Sequence, residues 1–312
     1  MRAERILQFG APNTIVSSEI DRPEIGDDQV LVRIAAAGVG PWDALIREGK
    51  SALPQPLPLT LGSDLAGVVE AVGSAVSKFR IGDEVYGVTN KQFTGAYAEY
   101  ASASAGMIAR KPRNLSFIEA ASAPVVAVTA WQMLFDYARL TKGRIVLVHG
   151  AAGNVGAYAV QLAKNAGLHV IATAGGRDLD YVGGLGAEKT INYHETRFED
   201  VVSGVDAVLD TIGGETFERS FTVLKPRGIL VSVAVSSKSP ISQEDTHRGV
   251  RAVSFLVEVT TARLNVITEL FESGKLLPHV GTVLPLDQAR VAHEMLAGAP
   301  HKRGKIVLQV AA

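Results

Sequence analysis

The residues with the most obvious chemistry are the glycines of Gly150-Ala-Ala-Gly-Asn-Val-Gly156. A short apolar run, Ile145 to Val148, leads into them. A helix-period pattern follows, with Val155, Ala159, Leu162, Ala163 and Ala166 on one face. Strand, tight turn and helix in that order turn backbone N–H groups and the positive helix end toward a ligand's phosphates. The usual fingerprint for such a site is Gly-x-Gly-x-x-Gly. Here its positions are Ala151, Gly153 and Gly156, with Gly150 just before, so an alanine replaces the first glycine. A second apolar strand begins about 20 residues on, as a βαβ dinucleotide site requires. The segment predicts dinucleotide binding.

Cofactor choice is read at the end of that second strand, His169-Val-Ile-Ala-Thr-Ala-Gly-Gly-Arg177. An NAD site places Asp or Glu there to accept from the ribose hydroxyls. Thr173, Ala174 and Gly175 stand there instead, and Arg177 is suited to bidentate binding of a 2′-phosphate. Asp178 and Asp180 lie close by and oppose it. The balance predicts NADPH.

The elements around these residues fall into three styles. The first hundred or so residues read as short strands: Val30–Ile34, Gly67–Val72, Glu84–Val88 and Tyr97–Ala101. Gly and Pro punctuate them at Gly38, Gly40-Pro41, Pro54 to Pro58, Gly62, Gly73, Gly82 and Gly95. A compact barrel or sandwich is expected there. From Ser116 helix and strand alternate, with apolar strands at Ile145–Val148, Leu168–Thr173, Val205–Asp210, Ile229–Val235 and Ala252–Val257. Strands apolar on both faces suit a covered parallel sheet, so this part reads as doubly wound α/β. The tail predicts a helix over about 262–272, a strand over 280–284, a helix over 287–296 and a last strand over 305–310, folding back on the N-terminal part.

Bulk properties narrow the function classes. A chain of 312 residues, 47% hydrophobic, suggests two domains with ample cores. The net charge of −1 gives the chain as a whole no electrostatic reason to seek nucleic acid or an anionic membrane. There is no cysteine, which excludes disulfides, thiol catalysis and thiolate-bound zinc. The N-terminal Met1-Arg-Ala-Glu-Arg-Ile-Leu7 lacks the apolar core of a signal peptide, and a cytoplasmic location is expected. The longest apolar stretch, Ala123 to Phe135, is too short to span a bilayer and reads as a buried helix.

Taken together, these segments resemble the medium-chain dehydrogenase/reductase superfamily, in its zinc-independent quinone oxidoreductase branch. The phosphate loop, Gly62-Ser-Asp-Leu-Ala-Gly-Val-Val-Glu-Ala-Val-Gly73, Phe79-Arg-Ile-Gly-Asp-Glu-Val-Tyr-Gly87, Val128-Thr-Ala-Trp131, Asp210-Thr-Ile-Gly-Gly214 and Gly304-Lys-Ile-Val-Leu308 carry the resemblance, in order along nearly the whole chain. It implies a GroES-like β-barrel catalytic domain over 1–122 and 262–312, and a Rossmann cofactor domain with a doubly wound parallel sheet over 123–261. Alcohol dehydrogenases of the superfamily place a zinc-binding Cys in a Gly-x-Cys-x-x-Asp turn and a His-Glu pair after a glycine. The matching positions here are Gly40, Ser63 and Asp64, and no two of the seven histidines sit at i, i+3 or i+4, so no metal is expected.

Without a Lewis acid to polarise an oxygen, the expected acceptors are ones that delocalise the arriving electrons themselves: quinones and alkenes conjugated to a carbonyl. The resemblance places Thr129 near the nicotinamide end, and Gly153, Asn154, Val155 and Gly156 at the pyrophosphate. Gly175, Arg177 and Tyr193 would surround the adenosine phosphate. The loop after Asp210 and the stretch around Phe255 would close over the cofactor, with Lys305 approaching it. Trp42, Asp43, Arg47, Tyr86, Phe93 and Tyr97 are the candidates for the acceptor wall. Two other readings remain open: an enoyl-thioester reductase of the same fold, and a protein that holds NADPH without turnover. The strand Ala252–Val257 would serve as an edge pairing with a second copy, and a homodimer is expected.

Overall fold

In the computed structural model, residues 1–53, 55–234, 244–247 and 249–310 are described, the side chains of 244–247 excepted. Val235, where the strand expected over 229–235 would end, lies outside them. The chain forms two compact units, 1–125 with 259–312, and 126–258.

The first unit begins with β1 (Arg2–Ile6), β2 (Ile15–Glu19), β3 (Gln29–Val39), α1 (Pro41–Arg47), β4 (Leu59–Thr60), β5 (Asp64–Val72), β6 (Glu84–Val88), β7 (Tyr100–Ser104), β8 (Ile108–Arg110) and α2 (Phe117–Ala121). The chain then passes through α3 (Pro124–Trp131) into the second unit: β9 (Ile145–Val148), α4 (Asn154–Asn165), β10 (His169–Ala174), α5 (Leu179–Leu185), β11 (Lys189–Asn192), β12 (Val205–Asp210), α6 (Glu215–Ser220), β13 (Leu224–Ser232), β14 (Glu244–His247) and β15 (Val250–Ser254). It returns to the first unit as α7 (Thr261–Glu272), β16 (Val280–Pro285), α8 (Ala289–Leu296) and β17 (Lys305–Gln309).

In the first unit a seven-stranded sheet runs β16-β17-β3-β5-β6-β8 with β7 also on β3, beside a three-stranded sheet β2-β1-β4. An isolated bridge, Ala3 to Ala98, links strand β1 to the chain before β7. The long strand β3 anchors this unit. Its inward residues Val30, Val32, Ile34 and Ala36 are fully buried, the alternation of a half-covered strand. The tail returns as expected: β17 pairs antiparallel with β3, Ile306 opposite Val39.

The second unit's sheet has the order β11-β10-β9-β12-β13-β15-β14. Its first six members are parallel neighbours. Counted from β9 they run 3-2-1-4-5-6, the doubly wound order that reverses direction between the first and fourth strands. Val146, Leu147 and Val148 of β9 and Ala207, Val208 and Leu209 of β12 are fully buried, as strands covered on both faces must be. The apolar stretch expected as a buried helix is α3, continued by a π-helical turn over Gln132–Tyr137.

Two expectations change. The strand over Ala252–Val257 is β15, Val250–Ser254, and it is not an edge. Residues Glu244–His247 pair with it antiparallel and satisfy its outer backbone groups, so it cannot take up a second copy. Phe217, Phe221 and Leu224 before Lys225-Pro226 read in the sequence as a helical pattern with its stop, but Lys225-Pro226 lies inside β13 instead. That strand meets β12 through a register shift between Val205 and Ala207, an irregularity that accommodates a proline without a ladder N–H.

Leu147, Val208 and Leu230 pack in one cluster with Phe198, Phe221 and Val223. Truncating Leu147 to Ala is expected to cost about 2–5 kcal/mol of unfolding free energy, measured by urea denaturation.

Candidate functional site

The loop after β9 is shaped by two glycines. Gly150 has φ +69°, and a Cβ there would stand 2.3 Å from Thr211 Oγ1. It is therefore Gly150, one residue before the alanine, that makes the tight turn. A Cβ on Gly156 would lie 2.2 Å from the Gly150 carbonyl oxygen and 2.7 Å from Ala151 Cα, so the helix sits directly on its own loop. Gly153, exposed, is the N-cap of α4 and provides no side-chain cap. The first N–H groups of a twelve-residue helix are thus left open at the carboxyl edge of the sheet, beside the reversal of strand order. Asn154 and Val155 are half-buried in that first turn.

His149 locks the loop from below. Its Nδ1 is 3.0 Å from Thr173 Oγ1, its Nε2 is 3.2 Å from Ser220 Oγ, and its ring meets Phe198 edge-on at 4.5 Å. Its carbonyl accepts from Thr211 Oγ1, and the next residue but one, Ala151, donates to the Thr173 carbonyl. Burial pulls the His149 pKa down to about 4, only partly offset by Asp210. The ring is therefore neutral at physiological pH and acts as a structural tie.

The residues that end β10 carry no carboxylate, though Asp178 Oδ2 lies 3.9 Å from where a Gly175 Cβ would stand. Ala174 is followed by Gly175 and Gly176, and exposed Arg177 forms no ion pair among the described residues. The neighbouring strand β11 ends in register, Asn192 opposite Ala174, and presents Tyr193, 58% exposed, to the same edge. These features fit an adenine dinucleotide: a cradle that only glycine can line, an uncapped helix end and an open basic side chain.

Other cofactor candidates have different tasks. Asp210 is fully buried. Its carboxylate accepts from the Ile212 and Gly213 amides and from Ser232 Oγ, so it shapes the loop after β12 and does not face a ligand. Phe255, 4% exposed, stacks on Tyr137 with ring centroids 4.2 Å apart. Thr129 is buried on α3.

In the first unit the three positions matching the zinc motif come together without a zinc donor set. The six-membered ring of Trp42 fills the space a Gly40 side chain would take, with its atoms 2.3–2.5 Å from the Cβ position. The Trp42 Nε1 donates to Ser63 Oγ at 3.1 Å. Lys305 Nζ stands 4.1 Å over the Trp42 ring and 2.9 Å from Asp64 Oδ2. Asp64 Oδ1 accepts from the Val125 amide. Burial pushes the Asp64 carboxyl up and the Lys305 ammonium pulls it back. A glycine, an engaged hydroxyl and a carboxylate already holding a cation do not suit zinc, which needs about four N, S or O ligands. Lys305, 1% exposed, is a member of this buried pair.

Most acceptor-wall candidates also turn inward. Asp43 Oδ2 accepts from the Gly40 amide at 2.8 Å and from Tyr97 Oη at 3.0 Å. Its Oδ1 is buried without a partner, and burial lifts its pKa to about 7. Arg47 is buried and donates to the Gly10 carbonyl and Glu48, with Nη1 2.9 Å from His293 Nδ1. Burial and then Arg47 hold His293 down at about 3. Tyr86 is fully buried, donating to the Leu264 carbonyl and lying 3.0 Å from Thr268 Oγ1. Phe93 is 8% exposed in a loop with φ +59°. Trp42 alone of the six is half-buried.

Comparisons with known proteins agree with this architecture. Residues 26–113 match the family described as "Alcohol dehydrogenase GroES-like domain", and residues 185–308 match "Zinc-binding dehydrogenase". The chain is 33% identical to a Sus scrofa quinone oxidoreductase over 322 aligned positions, covering 99% of this chain and 97% of that one. The chain belongs to the quinone oxidoreductase branch of the medium-chain dehydrogenase/reductase superfamily. It is also 36% identical to the chloroplastic NADPH-dependent alkenal/one oxidoreductase of Arabidopsis thaliana, over 99% of this chain and 79% of that one. The solved quinone oxidoreductase of Coxiella burnetii superposes with a TM-score of 0.90 at 35% identity, over 100% and 99% of the two chains. The zinc in the second family's description is not matched by donors here, for the reasons above.

The histidine spacing in the sequence speaks only to metal binding and does not reveal the bridging role of His149. The signal was its place between an apolar strand and a glycine turn, where a polar ring has to find partners at both nitrogens.

Tyr86→Phe is expected to lower stability by about 1–2 kcal/mol, through loss of a buried hydrogen bond. Turnover should be unchanged, because the hydroxyl is engaged within its own unit; steady-state kinetics beside thermal melting checks both. His149 gives a pH signature. Its folded pKa of about 4 lies below the ordinary 6.5, so the unfolded chain takes the proton first as pH falls. Its contribution is whole above pH 6.5 and erodes from there down to 4, at about 1.4 kcal/mol per pH unit. Denaturation at pH 7 and pH 5 should therefore show a smaller loss in His149→Gln than in the wild type.

Proposed function

We propose that this chain reduces quinones and carbonyl-conjugated alkenes, using NADPH as the donor. The observation that carries this reading is the pairing of the uncapped α4 loop with a β10 end where Ala174, Gly175 and Gly176 stand in place of an acidic residue and Arg177 is exposed, with Asp178 close by on the other side of the balance. A carboxylate there would accept a free ribose hydroxyl and repel a 2′-phosphate; glycines and a guanidinium do the reverse. The quinone oxidoreductase and alkenal/one oxidoreductase relatives support the acceptor class.

NADPH, when bound, would supply the reducing equivalents, as hydride or as single electrons. The chain's own contribution is to bind and orient. The amides of Asn154, Val155 and Gly156 would hold the pyrophosphate, and Arg177 and Tyr193 would hold the adenosine phosphate. On the acceptor side, half-buried Trp42 offers a flat apolar face for a planar acceptor. Lys305 and Ser63 fix its orientation. The buried side chains of that unit hold the scaffold: Asp43 with Tyr97, Tyr86 with the Leu264 carbonyl, and Arg47 with the Gly10 carbonyl and Glu48.

Absorbance of NADPH and, separately, NADH followed with a small quinone, a 2-alkenal and an enoyl thioester tests the reading. Oxidation of NADPH by the quinone or the alkenal, with no effect of a chelator, is expected. Turnover of the enoyl thioester alone would replace this reading, and saturable NADPH binding with no acceptor would leave only a binding protein. Arg177→Ala should weaken NADPH binding about tenfold with NADH little changed, the scale of one charge-assisted contact. Equal loss of both would remove Arg177 from the phosphate.

A further inference from the structure

The interior around Trp42 holds one more carboxyl than it has cations. Lys305 Nζ, 4.1 Å from the centre of the Trp42 ring, is paired with Asp64 Oδ2 at 2.9 Å. The other Asp64 oxygen takes the Val125 amide. Buried Arg47 is answered by Glu48. Asp43 is left over. It follows Trp42 on α1 and is 0% exposed. Its Oδ2 accepts from the Gly40 amide and from Tyr97 Oη, and its buried Oδ1 has no partner. An ionised Asp43 would put an unbalanced charge and a bare oxygen in the interior, and burial makes both costly. A proton on Oδ1 removes the charge and keeps both bonds at Oδ2.

The groups that face Asp43 pull in both directions. Burial holds the proton on, the Gly40 amide and Lys305 draw it off, Asp64 holds it and Tyr97 draws it off, with the balance at about 7. On α8, His293 stands edge-on to Tyr97 with ring centroids 6.0 Å apart. It is neutral, its pKa held at about 3 by burial and then by Arg47. Near neutral pH the charge of this interior therefore changes at Asp43, next to the ring read above as the acceptor's wall. Reduction places negative charge on the acceptor. A unit charge roughly 10 Å from the reacting atoms, at an effective dielectric constant of about 20, alters such a step by about tenfold.

Resting on the reductase reading above, in which Trp42 carries the acceptor, we propose that Asp43 is a positioning residue that works as a neutral acid. Protonated, it leaves the charge around Trp42 balanced. Ionised, it opposes the negative charge that arrives on the acceptor. Asp43 gives no proton to the acceptor; its proton exchanges with solvent alone. Acceptor reduction therefore slows as pH rises through neutrality, while NADPH binding does not change.

The first readout needs neither cofactor nor acceptor. In a Trp131→Phe chain, Trp42 is the only tryptophan, and its emission maximum should shift in one step near pH 7 as the charge beside it changes. Asp43→Asn in the same chain should abolish the step. Tyr97→Phe should move it upward by about one pH unit, because a donor to the ionised carboxylate is lost. The second readout is the single-turnover rate of NADPH oxidation by a small quinone between pH 6 and pH 9. Wild type should lose about tenfold across the same step. Asp43→Asn should hold the fast rate throughout, and Tyr97→Phe should keep it to higher pH. The NADPH dissociation constant should not follow the step, and thermal melting at each pH confirms that each variant is folded. Should Asp43→Asn not fold, the displacement in Tyr97→Phe decides alone. Absence of the emission step, a step that survives Asp43→Asn, or a rate that does not follow the step would overturn this inference and leave the reductase reading standing. No oxidation of NADPH by quinone or alkenal in the wild type at any pH would remove the reductase reading, and this inference with it.

Discussion

The cofactor half of the molecule depends on a contact that no side chain can enter. Gly156 rests on the Gly150 carbonyl so closely that a Cβ would stand 2.2 Å from the oxygen. That approach sets the path of α4 away from β9, and Gly150, at φ +69°, gives the chain the bend that makes it possible. The same residue leaves room for Thr211, whose hydroxyl bonds the His149 carbonyl. The ends of β9 and β10, the turn after β12 and the first turn of α4 are thus held as one packed group. Its consequence is electrostatic. The N-terminal amides of α4 cannot fold back on a side-chain cap, because Gly153 has none to offer, and they remain directed at the outside of the sheet edge.

The other unit answers a different constraint. Its strand β17 lies against β3 and brings Lys305 into the interior beside Asp64. A buried ion pair is weak evidence for stability, yet removing either partner alone costs about 3–5 kcal/mol, because a naked charge is left inside. Lys305 cannot be traded away alone. With its ammonium over Trp42, and Trp42 filling the hole at Gly40, the unit carries a fixed internal cation at the motif positions where relatives of other branches carry a metal. Charge balance and packing are met by the chain's own side chains.

Much of this was legible in the residues, and the limits were physical ones. The parallel sheet was readable because strands covered on both faces are continuously apolar, as at Ile145–Val148 and Val205–Asp210. The returning tail was readable from periodicity and the stop at Ser273-Gly274. The short strand Lys189–Asn192 was not, since a charge and a threonine at one sheet edge look like loop. Nor was the outer pairing of β15, because a cross-strand partner leaves no local trace. At the site, glycine and arginine positions could be named because backbone space and formal charge belong to a residue type. The roles of Asp43, Asp210 and Lys305 could not, because whether a charged group faces a ligand or a buried partner is decided by the tertiary fold. That the bend falls at Gly150 and not at the first fingerprint position was not legible for a related reason: the fingerprint counts positions, whereas the turn needs a left-handed residue wherever the bend falls.

The inward turn of the polar groups bears on which acceptors suit the chain. Tyr86, Tyr97, Asp43, Asp64 and Lys305 are each fully or almost fully buried and engaged with one another or with backbone. Asp43, with a pKa near 7 and a bare Oδ1, has the best acid character among them, yet it is sealed at 0% exposure. None of these five side chains is exposed to deliver a proton to an acceptor in step with hydride. A quinone or an enone needs no such delivery, because its own conjugation carries the new charge until solvent water supplies the proton. On the reading proposed above, substrates that bring their own electron sink would need only position from the chain, and Trp42 is a ring that two neighbours, Ser63 and Lys305, prevent from turning.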